Sequence, residues 1–159
     1  MESTPLINRV AESGIITFNL EDFYPEADFI SFDIKDYLFH GFILKEKDFR
    51  DALKTMDWSS YQGKIVLVGC STDAIIPLWA YMLINQHLVN VAADVYNGTE
   101  EEYLKMYYRE ALQKIDYQQY KDQRVVIKGC SNRPVPANAY AHITSMMQPY
   151  AQSIMFGEP

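Results

Sequence analysis

The sequence predicts a single α/β domain with a mainly parallel sheet flanked by helices. From residue 45 onward, short apolar runs of strand type alternate with segments of helical periodicity. A unit of helix, strand, helix and strand also occurs twice along the chain. We therefore expect an acidic N-terminal segment at residues 1–40, a first repeat at 45–98 and a second repeat at 99–159.

Composition narrows the class of protein and its partners. The chain has 159 residues, of which 48% are hydrophobic, which suits one folded domain. A formal net charge of −7 excludes phosphate-backbone binding as the main function, because that affinity needs clustered Lys and Arg. No apolar run reaches the roughly 20 residues of a membrane span. Acids occur where a signal peptide would need a basic region, so we expect a cytoplasmic protein.

The first 44 residues give the weakest structural signals. Alternating apolar residues predict strands at 16–20 and 29–34. The stretch between them, 21–28, is acidic and is broken by Tyr24-Pro25, which predicts a loop. Residues 36–44 fit a helix and a strand equally well, so both assignments stay open there.

From residue 45 the predicted elements follow one another closely. Phe49, Leu53 and Met56 lie at helical spacing, and Thr99 with Glu102 forms a capping box. The predicted helices are 45–58, 78–88, 99–115 and 136–147, and the predicted strands are 65–68, 89–95, 124–127 and 153–156. Residues 65–68 are apolar throughout, as expected of a parallel strand that is covered on both faces.

The two copies match over their whole length. Arg50 corresponds to Arg109 and Pro77 to Pro136, an offset of 59 residues in both cases. The offset is 60 at Cys70 and Cys130, which predicts one residue gained before the second copy's first strand and lost again in the loop. We expect a superposition of residues 50–98 on 109–157 to bring the two cysteines together.

Each copy carries a Gly-Cys-Ser tripeptide after its first strand, at 69–71 and 129–131. In a parallel sheet both would lie at the edge where open α/β folds form their clefts, and neighbouring strands would bring the thiols close. The functional interpretation is that helix N-termini lower the pKa of Cys70 and Cys130, giving thiolates for soft metals or persulfide chemistry. The structural interpretation is that each cysteine is a small apolar side chain filling a tight turn.

The loops after the thiols supply the candidate ligand-binding residues Ser71, Asp73, Ser131 and Arg133. A polar loop requires such residues in any case, and the serines could simply bond to loop amides. The chain has no Cys-x-x-Cys and no dense Cys/His cluster, which disfavours a zinc or ferredoxin site. The three histidines are scattered and indicate packing or surface positions. No general base accompanies either thiol at motif spacing, so enzymatic activity is left open.

An alternative function uses the N-terminal third. Acids alternate there with Phe23, Tyr24, Phe29 and Phe32. Such a face could dock a basic protein partner, with the aromatics giving contact area and the acids giving steering. An ordinary solvated acidic face over packed aromatics would give the same pattern.

Several longer stretches resemble one bacterial family, catalogued as domain of unknown function 2480, over nearly the whole chain. The stretches are Gly-Phe-Ile-Leu-Lys-Glu-Lys-Asp-Phe-Arg at 41–50, Asp57-Trp58 with Tyr61, Cys-Ser-Thr-Asp-Ala-Ile-Ile-Pro at 70–77 followed by Trp-Ala-Tyr-Met at 79–82, Val-Val-Ile-Lys-Gly-Cys-Ser-Asn-Arg-Pro-Val-Pro at 125–136, and Ser-Ile-Met-Phe-Gly-Glu-Pro at 153–159.

The resemblance implies a cellular process in which the protein works, but it does not imply a particular reaction. Genes of this family are often found beside those for sulfur-mobilisation assembly of iron–sulfur clusters. This implies an accessory protein that works with that machinery, with Cys70 and Cys130 as ligands of an iron–sulfur cluster or a soft metal ion, or as carriers of sulfane sulfur. Family members continue past Gly-Glu-Pro into another Cys-Ser, so a ligand set that uses this third thiol would be incomplete in the present sequence.

Overall fold

The computed structural model describes residues 13–129 and 131–157. Its helices are α1 Glu46–Thr55, α2 Leu78–Leu88, α3 Glu100–Gln113 and α4 Ala137–Met147, and its strands are β1 Ile16–Asn19, β2 Phe29–Asp33, β3 Ile65–Gly69, β4 Asp94–Asn97, β5 Arg124–Lys128 and β6 Ser153–Phe156. All strand pairs are parallel, which confirms the α/β class. No helix among the described residues combines the length and apolar character that a bilayer crossing requires.

The strands form two sheets of three, with the orders β2-β3-β4 and β1-β5-β6. The first sheet lies in a compact unit made of residues 25–103, called here the continuous unit. The second lies in a unit made of the described residues of 1–24 and 104–159, called here the split unit. The expectation that both Gly-Cys-Ser tripeptides lie at one edge of a single sheet is therefore wrong, because β3 and β5 belong to different sheets.

The middle strand of each sheet is the most apolar segment of its unit. Residues 65–68 in β3 and 125–127 in β5 are all buried, as expected where helices cover both faces of a parallel sheet. In the continuous unit, Phe32, Phe49 and Leu53 form one apolar cluster with Val66 and Val68 of β3 and with Ile84 and Leu88 of α2. This apolar layer positions the polar residues that follow the strands.

The two units share their order of elements and several specific contacts. In each, a short 3-10 helix follows the first long helix, at Trp58–Tyr61 and at Tyr117–Tyr120. The Trp58 indole donates to the carbonyl of Leu53, and the Tyr117 hydroxyl donates to that of Leu112. Burial raises the pKa of Tyr117 to about 12. These contacts extend the predicted repeat, and a common origin of the two units stays a prediction.

The N-terminal segment is part of the repeat, which the sequence interpretation missed. β1 and β2 are the first strands of the two units, and each leads into a 3-10 helix, at Leu20–Phe23 and Ile34–Tyr37. The signal was present at an offset of 14 residues, since Ile-Thr-Phe-Asn-Leu-Glu-Asp-Phe at 16–23 corresponds to Ile-Ser-Phe-Asp-Ile-Lys-Asp-Tyr at 30–37. The first of these 3-10 helices also replaces the start of the predicted acidic loop.

The register of the two units differs from the predicted one. Val66 pairs with Ile30 and Val95, and Val125 pairs with Ile16 and Ile154, so the offset of 59 holds through the strands. The stretch from Gly69 to Pro77 is also as long as that from Lys128 to Pro136. The predicted gain of one residue before the strand is therefore wrong.

This register gives Gly129, and not Cys130, the chain position of Cys70. Cys130 lies outside the described residues, so its predicted superposition on Cys70 is not tested directly. A Cβ atom on Gly129 would lie only 2.6 Å from the Tyr140 hydroxyl oxygen and 3.3 Å from the Leu20 Cβ atom. The split unit therefore places a tyrosine hydroxyl against this backbone position, where the continuous unit carries a thiol side chain.

Two further segments differ from expectation. The first five residues of the predicted strand 89–95 form the turn that follows α2, where the Ala92 amide donates to the Leu88 carbonyl, and β4 begins only at Asp94. An apolar run after a helix is compatible with a strand or with a turn, and residues 89–93 form a turn. Residues 36–44, where helix and strand were both open, form the end of a 3-10 helix and a tight hairpin closed by Phe39 and Ile43.

The crowding at Gly129 gives a paired stability prediction. Gly129→Ala should lower the free energy of unfolding by about 1–3 kcal/mol, because the new methyl group displaces the Tyr140 hydroxyl. Gly69→Ala should change it by less than about 0.5 kcal/mol, since nothing lies within 4 Å of its Cβ position. Urea denaturation of both variants measures the difference.

A second substitution tests whether the Tyr140 hydroxyl causes the loss of stability in Gly129→Ala. In a Gly129→Ala, Tyr140→Phe double variant the loss should be clearly smaller than the sum of the two single losses, because the crowded atom is gone. Equal losses for the two glycine variants, or strict additivity with Tyr140→Phe, would contradict the proposed crowding.

Candidate functional site

A cleft of about 550 Å³ opens at the carboxyl edge of the sheet in the continuous unit. It is lined by residues that end or follow all three strands, namely Ser31, Phe32, Asp33, Leu67, Gly69, Cys70, Ser71, Gly98, Thr99 and Glu100. Open α/β folds bind their ligands at this edge, because the loops that follow parallel strands converge there. The cleft is therefore the candidate functional site.

Cys70 is half-buried and contributes a free thiol to the lining of the cleft. Its sulfur lies 3.2 Å from the Thr72 hydroxyl oxygen. A hydroxyl can donate a hydrogen bond to a sulfur that has lost its proton, whereas it can donate or accept with a protonated thiol. The thiol thus has one polar neighbour on its own loop and faces a space that a small ligand could enter.

Helix proximity does not account for the environment of Cys70. The residue directly follows β3, while α2 begins only at Leu78 with Pro77 before it. The first turn of α2 is therefore separated from the thiol by the loop 71–77, contrary to the expected position at a helix entry. The helix that borders the cleft is α3, which begins with the capping box predicted from Thr99 and Glu102.

Asp33 is the main charged group beside the Cys70 loop. It pairs with Gly69 in the sheet, and its Oδ1 atom accepts from the amides of Ser71 at 3.1 Å and Lys35 at 3.0 Å. A hydrogen bond from the Ser71 hydroxyl, followed by those from the two amides, holds the pKa of Asp33 below its usual value. The predicted ligand-binding residue Ser71 is thus engaged by a carboxylate of its own unit.

In the split unit, the loop after the middle strand also donates its amides to a carboxylate, but the carboxylate belongs to a different residue. Glu21 Oε1 accepts from the amides of Ser131, of Asn132 at 2.8 Å and of Arg133 at 3.5 Å. The Asn132 amide contributes most to holding the pKa of Glu21 below its usual value, with help from the other two amides and from Lys128. Successive amides that point at one oxygen form an anion-binding concavity, and here the chain's own carboxylate fills it.

The two carboxylates occupy different positions in the repeat. Asp33 corresponds to Asn19, and Glu21 corresponds to Lys35, by the offset of 14 residues. The Asn19 side chain still accepts from the Glu21 amide, as Asp33 does from the Lys35 amide. Each Gly-Cys-Ser loop is therefore closed by one negative charge, although the charge sits two residues further on in the split unit.

The other two predicted ligand-binding residues do not line the cleft. Asp73 is exposed on the loop after Cys70. Arg133 lies over the ring of Tyr24, 5.0 Å from its centre, in a cation–π contact of the split unit. Of the four residues singled out from the sequence, only Ser71 borders the described cleft beside Cys70.

Cys70 does not acquire a set of metal ligands from its described surroundings. Among residues 13–129 and 131–157, no three His, Cys, Asp or Glu side chains gather in a way that could hold a metal ion. The two cleft carboxylates are hard oxygen donors, and Asp33 is already bonded to two amides. The described residues therefore do not fit an iron–sulfur cluster or a soft metal ion at this cleft.

Most aromatics of the proposed N-terminal docking face are engaged in packing. Phe32 is only 2% exposed and belongs to the core of the continuous unit. Phe23 stacks on Phe18 at a centroid distance of 5.3 Å, and Phe29 meets Tyr103 edge-on at 5.6 Å. Packing explains the aromatic pattern of this segment, and loop closure explains the acid Glu21.

A known family model matches nearly the whole chain. The model of a family described as a protein of unknown function, DUF2480, matches residues 4–159. The chain belongs to this family. The match confirms the resemblance inferred from the sequence and brings no reaction with it. No curated protein and no solved structure matches the chain.

In this DUF2480 protein, sequence reasoning missed the two carboxylates that close the loops and the contribution of Thr99 and Glu100 to the cleft. The repeat at an offset of 14 residues could have revealed that Asp33 ends a strand equivalent to β1. Nothing in the sequence indicated that Glu21 would reach the second loop. That contact depends on the pairing of β1 with β5, which joins residues more than a hundred positions apart.

The charge on Glu21 predicts a pH-dependent contribution to stability. Its folded-state pKa is lower than the ordinary value of 4.5, so the unfolded chain binds the proton more readily. The contribution is complete above pH 4.5 and is lost as the pH falls through the lower folded-state pKa. Glu21→Gln should therefore lower the urea midpoint at pH 7, with a difference from the wild type that shrinks as the pH falls below 4.5.

Asp22→Asn is the matched control, because it removes the same charge from the neighbouring, exposed residue. Its urea midpoint at pH 7 should stay close to that of the wild type. A Glu21→Gln difference that stayed constant down to acid pH would show that the carboxylate charge is not what closes the loop.

Proposed function

We propose that this DUF2480 protein is an accessory factor that accepts sulfane sulfur on Cys70 and carries it as a persulfide. The observation that supports this proposal is the position of a half-buried thiol in a cleft of about 550 Å³ at the carboxyl edge of a parallel sheet. A persulfide carrier needs one reachable thiol and room for one more sulfur atom. It does not need the several soft ligands that a cluster requires.

The chemical step is a thiol exchange that needs no outside oxidant. The Cys70 thiolate attacks the terminal sulfur of a donor persulfide, a new sulfur–sulfur bond forms on Cys70, and the donor's own sulfur–sulfur bond breaks. The donor leaves as a thiolate and takes up the proton that Cys70 released. The Thr72 hydroxyl, 3.2 Å from the sulfur, can stabilise the attacking thiolate by donating a hydrogen bond.

The proposed donor is a protein of the sulfur-mobilisation machinery that assembles iron–sulfur clusters, the setting that the family resemblance implies. Asp33 and Glu100 line the same cleft and bring negative charge to it. This charge disfavours a small anionic donor and favours a sulfur atom delivered on a protein side chain. Ligation of a cluster or a soft metal by Cys70 and Cys130 would need further ligands, and the described residues do not favour it.

The test is transfer of sulfur followed by mass spectrometry under anaerobic conditions. Two donors are used, inorganic polysulfide and a persulfide-loaded cysteine desulfurase of the sulfur-mobilisation system. We expect an adduct of one sulfur atom on Cys70 in the wild type and in Cys130→Ser, and none at this position in Cys70→Ser.

Three results would count against the proposal. Loss of transfer in Cys130→Ser alone would move the chemistry away from Cys70. Reaction with polysulfide but not with the desulfurase would remove the proposed partner. Reconstitution with iron and sulfide provides the third arm, since a stable cluster absorption that depends on Cys70 would favour the cluster over the persulfide.

A further inference from the structure

α2 exposes a row of apolar side chains along its outer side. Leu78, Met82 and Val89 are 81%, 68% and 67% exposed, and Asn85 between them is also exposed. Their spacing of four, three and four residues is that of the seam through which one helix packs against another. Ile75, just before the helix, is 90% exposed and adds to the same apolar region of the chain.

The opposite side of α2 is buried. Ala80, Leu83, Ile84 and Leu88 are buried in the core of the continuous unit. The helix is therefore apolar on its inner and outer sides. A helix that is apolar all round is normally covered on all sides, whereas the outer side of α2 faces solvent.

The equivalent helix of the split unit shows that the fold does not require this apolar row. At the offset of 59 residues, α4 carries Ala137, Ala141, Thr144 and Gln148 at the corresponding positions. All four are exposed, as their counterparts in α2 are. Small and polar residues thus suffice at a solvent-facing position of this element, and the large apolar residues of α2 need another explanation.

The distribution of charge along the chain indicates which kind of partner covers the exposed apolar row of α2. Residues 74–93 contain no Asp, Glu, Lys or Arg, although the chain as a whole has a net charge of −7. A partner attracted by charge would find no charged residue to bind on this helix. Eight acids against two bases in residues 1–36 account for −6 of that charge, so two α2 helices from two copies of the chain would not repel each other by charge.

We infer that α2 is a dimerisation helix, which packs antiparallel against α2 of a second copy of this chain. In a two-fold symmetric interface every contact occurs twice. If one residue touches a second residue of the other copy, the second residue of the first copy touches the first residue of the other. An axis that passes between Asn85 and Gln86 sets Met82 of one copy opposite Val89 of the other. The two exposed amide side chains then lie next to the axis, where each offers both a donor and an acceptor to its symmetry mate.

The available area fits a stable dimer. The exposed surface of Ile75, Leu78, Met82 and Val89 is on the order of 600 Å² per copy, at the upper end of what a monomer exposes in one patch. Complete coverage of two such faces would bury on the order of 1,200 Å² in total, which is the lower end of the range of specific interfaces.

The first test is the mass of the full chain in solution, by light scattering coupled to size exclusion at about 50 μM chain. We expect twice the chain mass for the wild type. Leu78→Glu combined with Met82→Glu should raise the dissociation constant at least a hundredfold and give the mass of one chain, because each copy would bring two carboxylates into an apolar interface that offers them no partner. Both positions are exposed, so the double variant keeps its fold, which circular dichroism checks.

The matched control is Ala137→Glu combined with Ala141→Glu, which adds the same charge at the equivalent exposed positions of α4. It should leave the dimer intact. A monomeric wild type, a double variant of α2 that still dimerises, or an equal loss in the α4 control would overturn the inference. A monomeric wild type would leave the row to a different occupant.

Disulfide trapping tests the antiparallel arrangement. The variants are made in a chain in which both native cysteines are replaced by serine. Asn85→Cys lies next to the axis and should form a disulfide-linked dimer, whereas Leu78→Cys should not, because an antiparallel pair separates the two Leu78 positions by on the order of 20 Å. Trapping through Leu78→Cys alone would overturn the antiparallel geometry. The sulfur-transfer result on Cys70 does not depend on this outcome.

Discussion

The pairing of a short early strand with a buried middle strand is the constraint on which both units depend. β2 aligns with β3 so that Asp33 lies beside Gly69, directly before Cys70. β1 aligns with β5 in the same parallel sense, which brings the segment after β1 to the loop at 131–133. Parallel pairing puts the carboxyl ends of all three strands at one edge. The cleft and both loop-closing carboxylates follow from that alignment.

The two units use different carboxylates to accept hydrogen bonds from the loop after the middle strand. In each unit, amides of the loop after the middle strand donate to one carboxylate oxygen. One unit supplies Asp33 and the other supplies Glu21. The units diverge at the next position, where Cys70 lines a cleft in one and Gly129 leaves room for a tyrosine hydroxyl in the other. A shared architecture therefore does not imply two equivalent thiol sites.

The same divergence is visible on the helices that follow. α2 carries large apolar residues on its exposed side, and α4 carries small or polar ones at the equivalent positions. Because both helices cover their own sheets with similar buried faces, the difference is not needed for folding. The continuous unit thus holds both the half-buried thiol and the exposed apolar row.

Local sequence determined the elements whose signals lie within a few residues. The capping box of Thr99 and Glu102, the prolines before α2 and α4, and the apolar runs of β3 and β5 each specify a local conformation, and the α/β class follows from their alternation. Only the tertiary structure decided the division into two sheets, the start of β4, the register of the Gly-Cys-Ser loops and the role of Glu21. These depend on pairing and packing between segments far apart in the chain, whose energies local periodicity does not contain.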